Sequence, residues 1–162
     1  MVQSTQINGE NLSPIKTSDC EKNLGIKIGV TGPSSGMTFL QELAITTLFK
    51  RTSPSELHHG DCIGCDCIAH DIMRNINPKC AIVGHPPKNP KLRAFCRCDI
   101  SLPEKDYLER NMDIALAIDF LIATPNSYVE KIRSGTWATV RYARKCNKHI
   151  IIIFPNGSIG KG

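Results

Sequence analysis

Three segments of this sequence combine glycine with serine, threonine or aspartate directly ahead of a helical pattern. They span residues 32–36, 60–64 and 134–136. Glycine lets backbone amides approach a phosphate closely, and a helix N-terminus adds hydrogen-bond donors and partial positive charge. Each segment taken alone is equally well explained as a turn. The three together favour a phosphate-binding site.

The residues predicted to bind a ligand follow strand ends or begin helices. They are Gly32, Ser34, Ser35, Gly60, Asp61, Gly64, His85, Arg110, Asn111, Thr124, Pro125, Ser134, Gly135 and Thr136. Arg110 is the candidate phosphate ligand, because guanidinium is planar and always charged. Asp61 and Glu109 are candidate carboxylates for acid–base catalysis, with Arg110 as a third candidate catalytic residue. Asp66 is interpreted as a helix-capping residue. For His85, ligand contact and a structural hydrogen bond are equally open.

The cysteines raise the question of a metal site. The chain has eight, and the pattern includes Cys62-x-x-Cys65, Cys67 and Cys96-x-Cys98. A thiolate zinc site needs pairs at suitable spacing, and Cys-x-Cys is a poor pair. Buried free cysteine commonly behaves as a small hydrophobic residue. We therefore predict free thiols, with no metal and no cofactor.

Two further motifs are absent, and one loop is unusually long. Neither GxGxxG nor GxxxxGK[ST] occurs, so a dinucleotide fingerprint and a P-loop are not supported. The segment from Lys88 to Pro103 carries Lys88, Lys91, Arg93 and Arg97. Long loops often act as lids, so a basic lid over a phosphate is one interpretation and a solvated loop is the other.

The elements that must position these residues alternate along the chain. Short apolar runs predict five strands, over 26–30, 56–59, 80–84, 119–123 and 150–154. The segments between them mostly show helical periodicity. This order predicts an α/β fold, a Rossmann-like three-layer domain with a mostly parallel sheet of about five strands. The carboxyl ends of such strands share one edge, where ligands bind.

Length and composition fit one globular domain. The chain has 162 residues, 41% of them hydrophobic, and a formal net charge of +5. Residues 1–24 are polar and without periodicity, which predicts a flexible N-terminal arm ahead of a single domain over 25–162. No apolar run reaches membrane-spanning length and no signal peptide is recognisable, so we expect a cytoplasmic protein without membrane contact.

Two motif sets resemble known families. The letters HGDCIGCDCIAH over residues 59–70 resemble the G-G-A-x-G-x-D-x-x-A-H segment of the DNA-processing protein A family. Residues 109–111 (ERN), 119–125 (DFLIATP) and 134–136 (SGT) resemble the E-R-K … D-A-F-I-A-L-P-G-G-x-G-T signature of the LOG family, the cytokinin-activating phosphoribohydrolases long labelled lysine decarboxylase-like. Both belong to the SLOG superfamily of Rossmann-like nucleotide-binding domains. The resemblance covers about residues 25–157.

The resemblance assigns roles to a few positions. Arg110 matches an arginine at the glycosidic-bond site of LOG enzymes, and Gly135 and Thr136 match their phosphate-binding pair. The catalytic glutamates of that motif are replaced by residues 137–140 (WATV), and the double glycine is replaced by the longer segment 126–133. The resemblance therefore implies a retained phosphate site without its expected acidic partner.

Three functions follow as expectations. The first is a sensor or carrier that binds a nucleotide or nucleotide derivative. The alternative is a LOG-like hydrolase that cleaves the N-glycosidic bond of nucleoside 5′-monophosphates. The second alternative is single-stranded DNA binding, which needs a continuous basic groove. The resemblance also implies a homodimer, through helices near residues 37–49 or 137–142.

Overall fold

The computed structural model describes residues 25–162, so the predicted flexible arm over 1–24 lies outside the described residues. Strands and helices alternate along the described chain. The elements are β1 (Lys27–Thr31), α1 (Phe39–Thr52), β2 (Glu56–His59), α2 (Cys65–Ile76), β3 (Ala81–Gly84), β4 (Ile100–Ser101), α3 (Tyr107–Ala117), β5 (Phe120–Ala123), α4 (Gly135–Lys145), β6 (His149–Ile153) and β7 (Ile159–Lys161).

The strands form one sheet of seven, in the order β4-β3-β2-β1-β5-β6-β7. Every pairing is parallel except that of β6 with β7. The predicted α/β fold with a mostly parallel sheet is confirmed. The predicted number of about five strands omits β4 and β7, which are edge strands of two and three residues. Such short edge strands carry no apolar run that a sequence pattern could reveal.

Helices cover both faces of the sheet, which gives the predicted three layers. On one face, α1 and α2 pack against the sheet in a buried cluster that includes Ile28, Ile45 and Met73. On the other face, α3 and α4 pack in a second cluster that includes Leu121 and Val140. Both strand faces are therefore apolar, which explains why the strands read as continuous apolar runs.

Local interactions fix where two of the helices begin. Thr38 and Gln41 form a reciprocal capping box at the start of α1. The Ser134 hydroxyl accepts the Trp137 amide at 3.4 Å and thereby caps the N-terminus of α4. Helix α3 begins at Tyr107, although Pro103-Glu104 ahead of it is also typical of a helix start. The reason is that the Leu102 amide donates to the carbonyl of Gly84 at the end of β3, and the Lys105 amide donates to the carbonyl of Pro86, which keeps this segment extended.

The strand order reverses at β1, which lies between β2 and β5. Chain connections therefore leave β1 and its neighbours toward opposite faces of the sheet, and a crevice forms at their carboxyl ends. Over residues 25–162, none of the helices combines the length and apolar character needed to cross a bilayer.

Candidate ligand-binding site

A cavity of about 420 Å³ lies in this crevice, beside the N-terminal turns of α3 and α4. Its volume falls in the range of about 300–1,000 Å³ that is typical of small-molecule sites. The residues that carry its polar chemistry are Thr31, Ser34, Cys62, Asp66, Tyr107, Arg110, Asn111, Asn126, Lys131, Arg133, Ser134 and Thr136.

The structure brings together eight of the predicted ligand-binding residues in the wall of this cavity. They are Gly32, Ser34, Gly60, Arg110, Asn111, Ser134, Gly135 and Thr136. The other predicted site residues lie outside the wall. They are Ser35, Asp61, Gly64, His85, Thr124, Pro125 and Glu109. Eight of the predicted ligand-binding residues therefore lie together at the sheet edge, whereas both predicted catalytic carboxylates lie elsewhere.

Arg110 and Asn111 are the least satisfied polar residues of the cavity. They are 6% and 4% exposed. Arg110 Nη1 donates to the Gly60 carbonyl at 3.0 Å and approaches Cys62 Sγ at 3.2 Å. Arg110 Nε and Asn111 Nδ2, however, have no hydrogen-bond partner among the described residues. A buried donor without a partner costs about 1–3 kcal/mol, so both donors favour a ligand that supplies acceptors.

Asp66 is the one carboxylate in the cavity wall. Its Oδ2 accepts the Cys62 amide at 3.1 Å. A Cβ atom on Gly60 would lie 2.9 Å from this oxygen and 3.3 Å from the Arg110 guanidinium carbon, so Gly60 separates the two groups without filling the space. Burial raises the pKa of Asp66 to about 6, although backbone hydrogen bonds and Arg110 oppose the shift. The interpretation of Asp66 as a simple helix cap misses this position.

Replacing Asp66 by asparagine is expected to stabilise the free protein at pH 7.5. The native carboxyl binds its proton more tightly than the unfolded one, because burial raises its pKa from 3.8 to about 6. Ionisation above pH 6 therefore disfavours the native state, and a neutral amide removes that cost, on the order of 1–3 kcal/mol. Urea unfolding of both proteins between pH 4 and 8 measures the gain, which should vanish as pH falls toward 4. A loss of stability at pH 7.5 would contradict this expectation.

The N-terminus of α4 forms the cationic part of the wall. Gly135 packs closely against the Tyr107 hydroxyl there, so a larger residue would displace the tyrosine side chain. Lys131 and Arg133 line the cavity just before the helix begins, and sequence reasoning did not single them out. The signal that could have found them is their position, since they end the inserted segment directly ahead of the predicted phosphate-binding turn.

Asp61 lies outside the cavity wall, and its interactions are with other parts of the protein. Its backbone is left-handed, with φ +50°. Its carboxylate accepts Arg93 Nε at 2.7 Å and the Cys96 amide at 2.9 Å, and the residue is 1% exposed. Asp61 therefore ties the segment after β3 to the end of β2.

Most of the remaining predicted residues make structural contacts around the cavity and do not line it. Gly64 adopts φ +88° against the backbone of Ser34, where any side chain would collide. His85 Nε2 lies 3.0 Å from His58 Nδ1, and burial lowers its pKa to about 4. Thr124 contacts Cys65 Sγ at 3.1 Å, and the Pro125 carbonyl accepts Gln41 at 2.9 Å. Ser35 and Glu109 are exposed.

The basic segment from Lys88 to Pro103 contributes a single residue to the cavity wall, Leu92. Its cations have other surroundings. Lys88 pairs with Asp106 at 2.8 Å, and Arg93 pairs with Asp61 and Glu104. Arg97 borders a second cavity, next to α2. Ion pairs therefore hold the segment in place, and its basic side chains do not lie over the residues predicted to bind phosphate.

His59, His70 and Cys98 can present three potential metal-ligand atoms within 4.8 Å of one another. The hydrogen bonds argue for another role. His59 Nδ1 accepts the Asp61 amide at 3.0 Å, so its Nε2 carries the proton and donates to His70 Nδ1 at 3.1 Å. Burial lowers the pKa of His59 to about 3, which keeps the ring neutral. In this tautomer His59 Nε2 has no lone pair for a metal, and the lone pair of His70 Nδ1 already accepts a hydrogen bond.

Comparison with known proteins identifies solved structures with a similar fold. No protein-family model matches the sequence, and no curated protein is significantly similar to it. Among solved structures, the chain is similar to the molybdenum cofactor binding protein from the phototrophic bacterium Rippkaea orientalis, with a TM-score of 0.63 and 23% identity over 80% of this chain and 77% of that one. It is also similar to the Moco carrier protein from Chlamydomonas reinhardtii, with a TM-score of 0.60 and 22% identity over 79% and 75%.

These similarities extend over most of both chains, and at this level of identity they establish a shared fold. The chain has the same architecture as two proteins described as binding or carrying the molybdenum cofactor.

Proposed function

We propose that this protein is a small-molecule carrier or sensor that binds a phosphorylated heterocycle in the cavity. One observation carries the proposal: Arg110 Nε and Asn111 Nδ2 are buried donors without partners in the cavity wall. A ligand that accepts from both relieves the cost of leaving them unpaired. Three cations and one carboxylate line the cavity, so the ligand is an anion.

The molybdenum cofactor is the first ligand we propose. It is a phosphorylated pterin, so it unites a dianionic phosphate with a flat, polar ring system. The shared fold with proteins described as molybdenum cofactor binding and carrier proteins supports this choice over other phosphorylated heterocycles. A nucleoside monophosphate has the same two parts, and it remains the proposal that the resemblance to the SLOG superfamily supports.

A binding experiment tests the proposal. The protein is titrated anaerobically with molybdenum cofactor freshly released from a molybdoenzyme, with neopterin monophosphate and with AMP. A ligand at 100 times its Kd should add about 2.7 kcal/mol to the free energy of unfolding. Unphosphorylated neopterin is the matched control and should bind far more weakly. Absence of binding by all three phosphorylated ligands would refute the proposal.

A hydrolase acting on N-glycosidic bonds is the second candidate, and the position of Asp66 favours it. This carboxylate lies in the cavity near Arg110, and its pKa of about 6 suits a general acid. Asp66 would then be the acid–base carboxylate, the role predicted from the sequence for Asp61 or Glu109. Incubation with AMP and GMP, followed by chromatography for free base, tests it. Base release that disappears in Asp66→Asn would replace the carrier proposal.

The homodimer implied by the resemblance stays a prediction. Of its two predicted surfaces, helix α1 presents Phe39, Leu40 and Leu43 as exposed apolar side chains. The other surface is mostly unsuited, because residues 137–140 of α4 are buried in the core.

A further inference from the structure

The position of Asp66 in an otherwise cationic cavity is not explained by phosphate binding. A carboxylate beside Arg110 repels a phosphate and weakens the field of the arginine. Burial also disfavours its ionised form. A carboxylate in such a place suits a ligand that brings hydrogen-bond donors to it.

The hydrogen bonds of Asp66 leave capacity for such donors. An ionised carboxylate has about four lone-pair sites. The Cys62 amide occupies one, on Oδ2. The residue itself is 7% exposed and borders the cavity, so further donors must come from the cavity side.

Donors that need acceptors share this wall with Asp66. Asn111 Nδ2 and Arg110 Nε have no partner among the described residues. The Asp66 carboxylate and the Arg110 guanidinium both lie close to Gly60, so this wall offers an acceptor next to a donor. A ring edge complementary to it carries N–H groups next to an oxygen. The 2-amino-4-oxopyrimidine edge of guanine and of pterins has this pattern, with an amino group, a ring N–H and an exocyclic oxygen in a row.

The cationic N-terminus of α4 accounts for the other half of such a ligand. Lys131, Arg133 and the first-turn amides of Gly135 and Thr136 lie there, whereas Asp66, the one carboxylate of the cavity wall, belongs to α2. A phosphate is favoured at this helix end, where donors and partial positive charge coincide. The ring is then left to the wall formed by Asp66 and Asn111.

We propose that Asp66 selects ligands with a 2-amino-4-oxopyrimidine ring, a guanine or a pterin, by accepting hydrogen bonds from the amino and ring N–H groups. This inference rests on the proposed function and narrows its ligand class. It distinguishes guanine and pterin ligands from adenine, whose corresponding edge has an amino group but no ring N–H.

GMP and IMP provide the test, because they differ only in the exocyclic 2-amino group. Their dissociation constants are measured by calorimetry at pH 7.5 for the wild type, Asp66→Asn and Asp71→Asn. Asp71 is an exposed carboxylate on the same helix, so its variant is the matched control. Losing a hydrogen bond to a charged group should make IMP bind at least about tenfold more weakly than GMP to the wild type and the control. In Asp66→Asn this ratio should fall to nearly one.

Two further comparisons separate the possible failures. The dissociation constants of neopterin monophosphate and of its 2-oxo (lumazine) analogue repeat the test for pterins. If the protein binds a guanine ligand, GMP should bind more tightly than neopterin monophosphate, and if it binds a pterin the order should be reversed. GMP against guanosine measures the phosphate contribution alone. Equal binding of GMP and IMP to the wild type, with lumazine also equal to pterin, overturns the role of Asp66 while phosphate-dependent binding upholds the carrier proposal. Absence of all phosphate-dependent binding overturns both. Thermal unfolding of Asp66→Asn verifies folding, and if it fails to fold the wild-type ratios decide.

Discussion

Replacement of Arg110 by alanine is expected to weaken binding of every phosphorylated ligand by about 30- to 1,000-fold, which corresponds to roughly 2–4 kcal/mol for a buried charge-assisted contact. The guanidinium is 6% exposed, and its Nε has no partner among the described residues. The variant removes the one buried cation of the cavity wall, because Lys131 and Arg133 are exposed. Isothermal calorimetry with GMP and neopterin monophosphate measures the loss.

The same variant should change the surroundings of Asp66. The positive charge of Arg110 lowers the pKa of this carboxyl, so its removal is expected to raise the pKa further above 6. Binding that remains in Arg110→Ala should therefore depend more steeply on pH between 6 and 8 than binding by the wild type. Titrations at several pH values check this.

Two other arginine variants separate charge from geometry. Arg110→Lys keeps a charge but loses the planar fork, so we expect an intermediate affinity. Arg97→Ala removes an exposed arginine at the second cavity and should bind as the wild type does. If Arg110→Ala folds and binds within threefold of the wild type, the cavity described here is not the ligand site.

The fold could be predicted from the sequence where burial is complete. The central strands β1, β3, β5 and β6 are apolar because helices cover both their faces, and their runs were visible. Edge strand β4 pairs through Val83 with Ile100, and Ile100 itself is half exposed. Its strand conformation depends on a neighbour distant in sequence. No local pattern of residues records such a pairing.

The candidate site also has some features that could be predicted from the sequence and others that could not. Gly60, Arg110 and Thr136 could be predicted because parallel strands bring their ends to one edge whatever the side chains do. The directions of individual side chains could not. Asp66 looked like a capping residue, yet α2 has Gly64 at its N-cap and the carboxylate accepts the Cys62 amide instead. Asp61 is adjacent to Gly60 in sequence, but its left-handed backbone turns the carboxylate toward Arg93.

Replacement of Asp61 by alanine is expected to destabilise the protein by about 2–4 kcal/mol, because two hydrogen bonds to a buried carboxylate are lost while Arg93 keeps only its exposed partner Glu104. Arg93 Nε and the Cys96 amide both lose their acceptor. Alanine is also disfavoured at φ +50°, whereas asparagine tolerates that conformation. Asp61→Asn keeps an acceptor for the Cys96 amide, so we expect its free energy of unfolding to fall by less, about 1–2 kcal/mol. Urea unfolding at pH 7.5 measures both values.

The pair of variants also separates a structural role of Asp61 from the catalytic or ligand-binding role predicted from sequence. Asp61 contacts the segment that carries Leu92, the residue of that segment in the cavity wall. A structural role predicts that Asp61→Asn, once folded, binds ligand nearly as well as the wild type. A carboxylate that served the ligand directly would instead give an asparagine variant of near-normal stability and greatly reduced binding. That result would place the ligand closer to the end of β2 than the cavity does, and would return Asp61 to the set of binding residues.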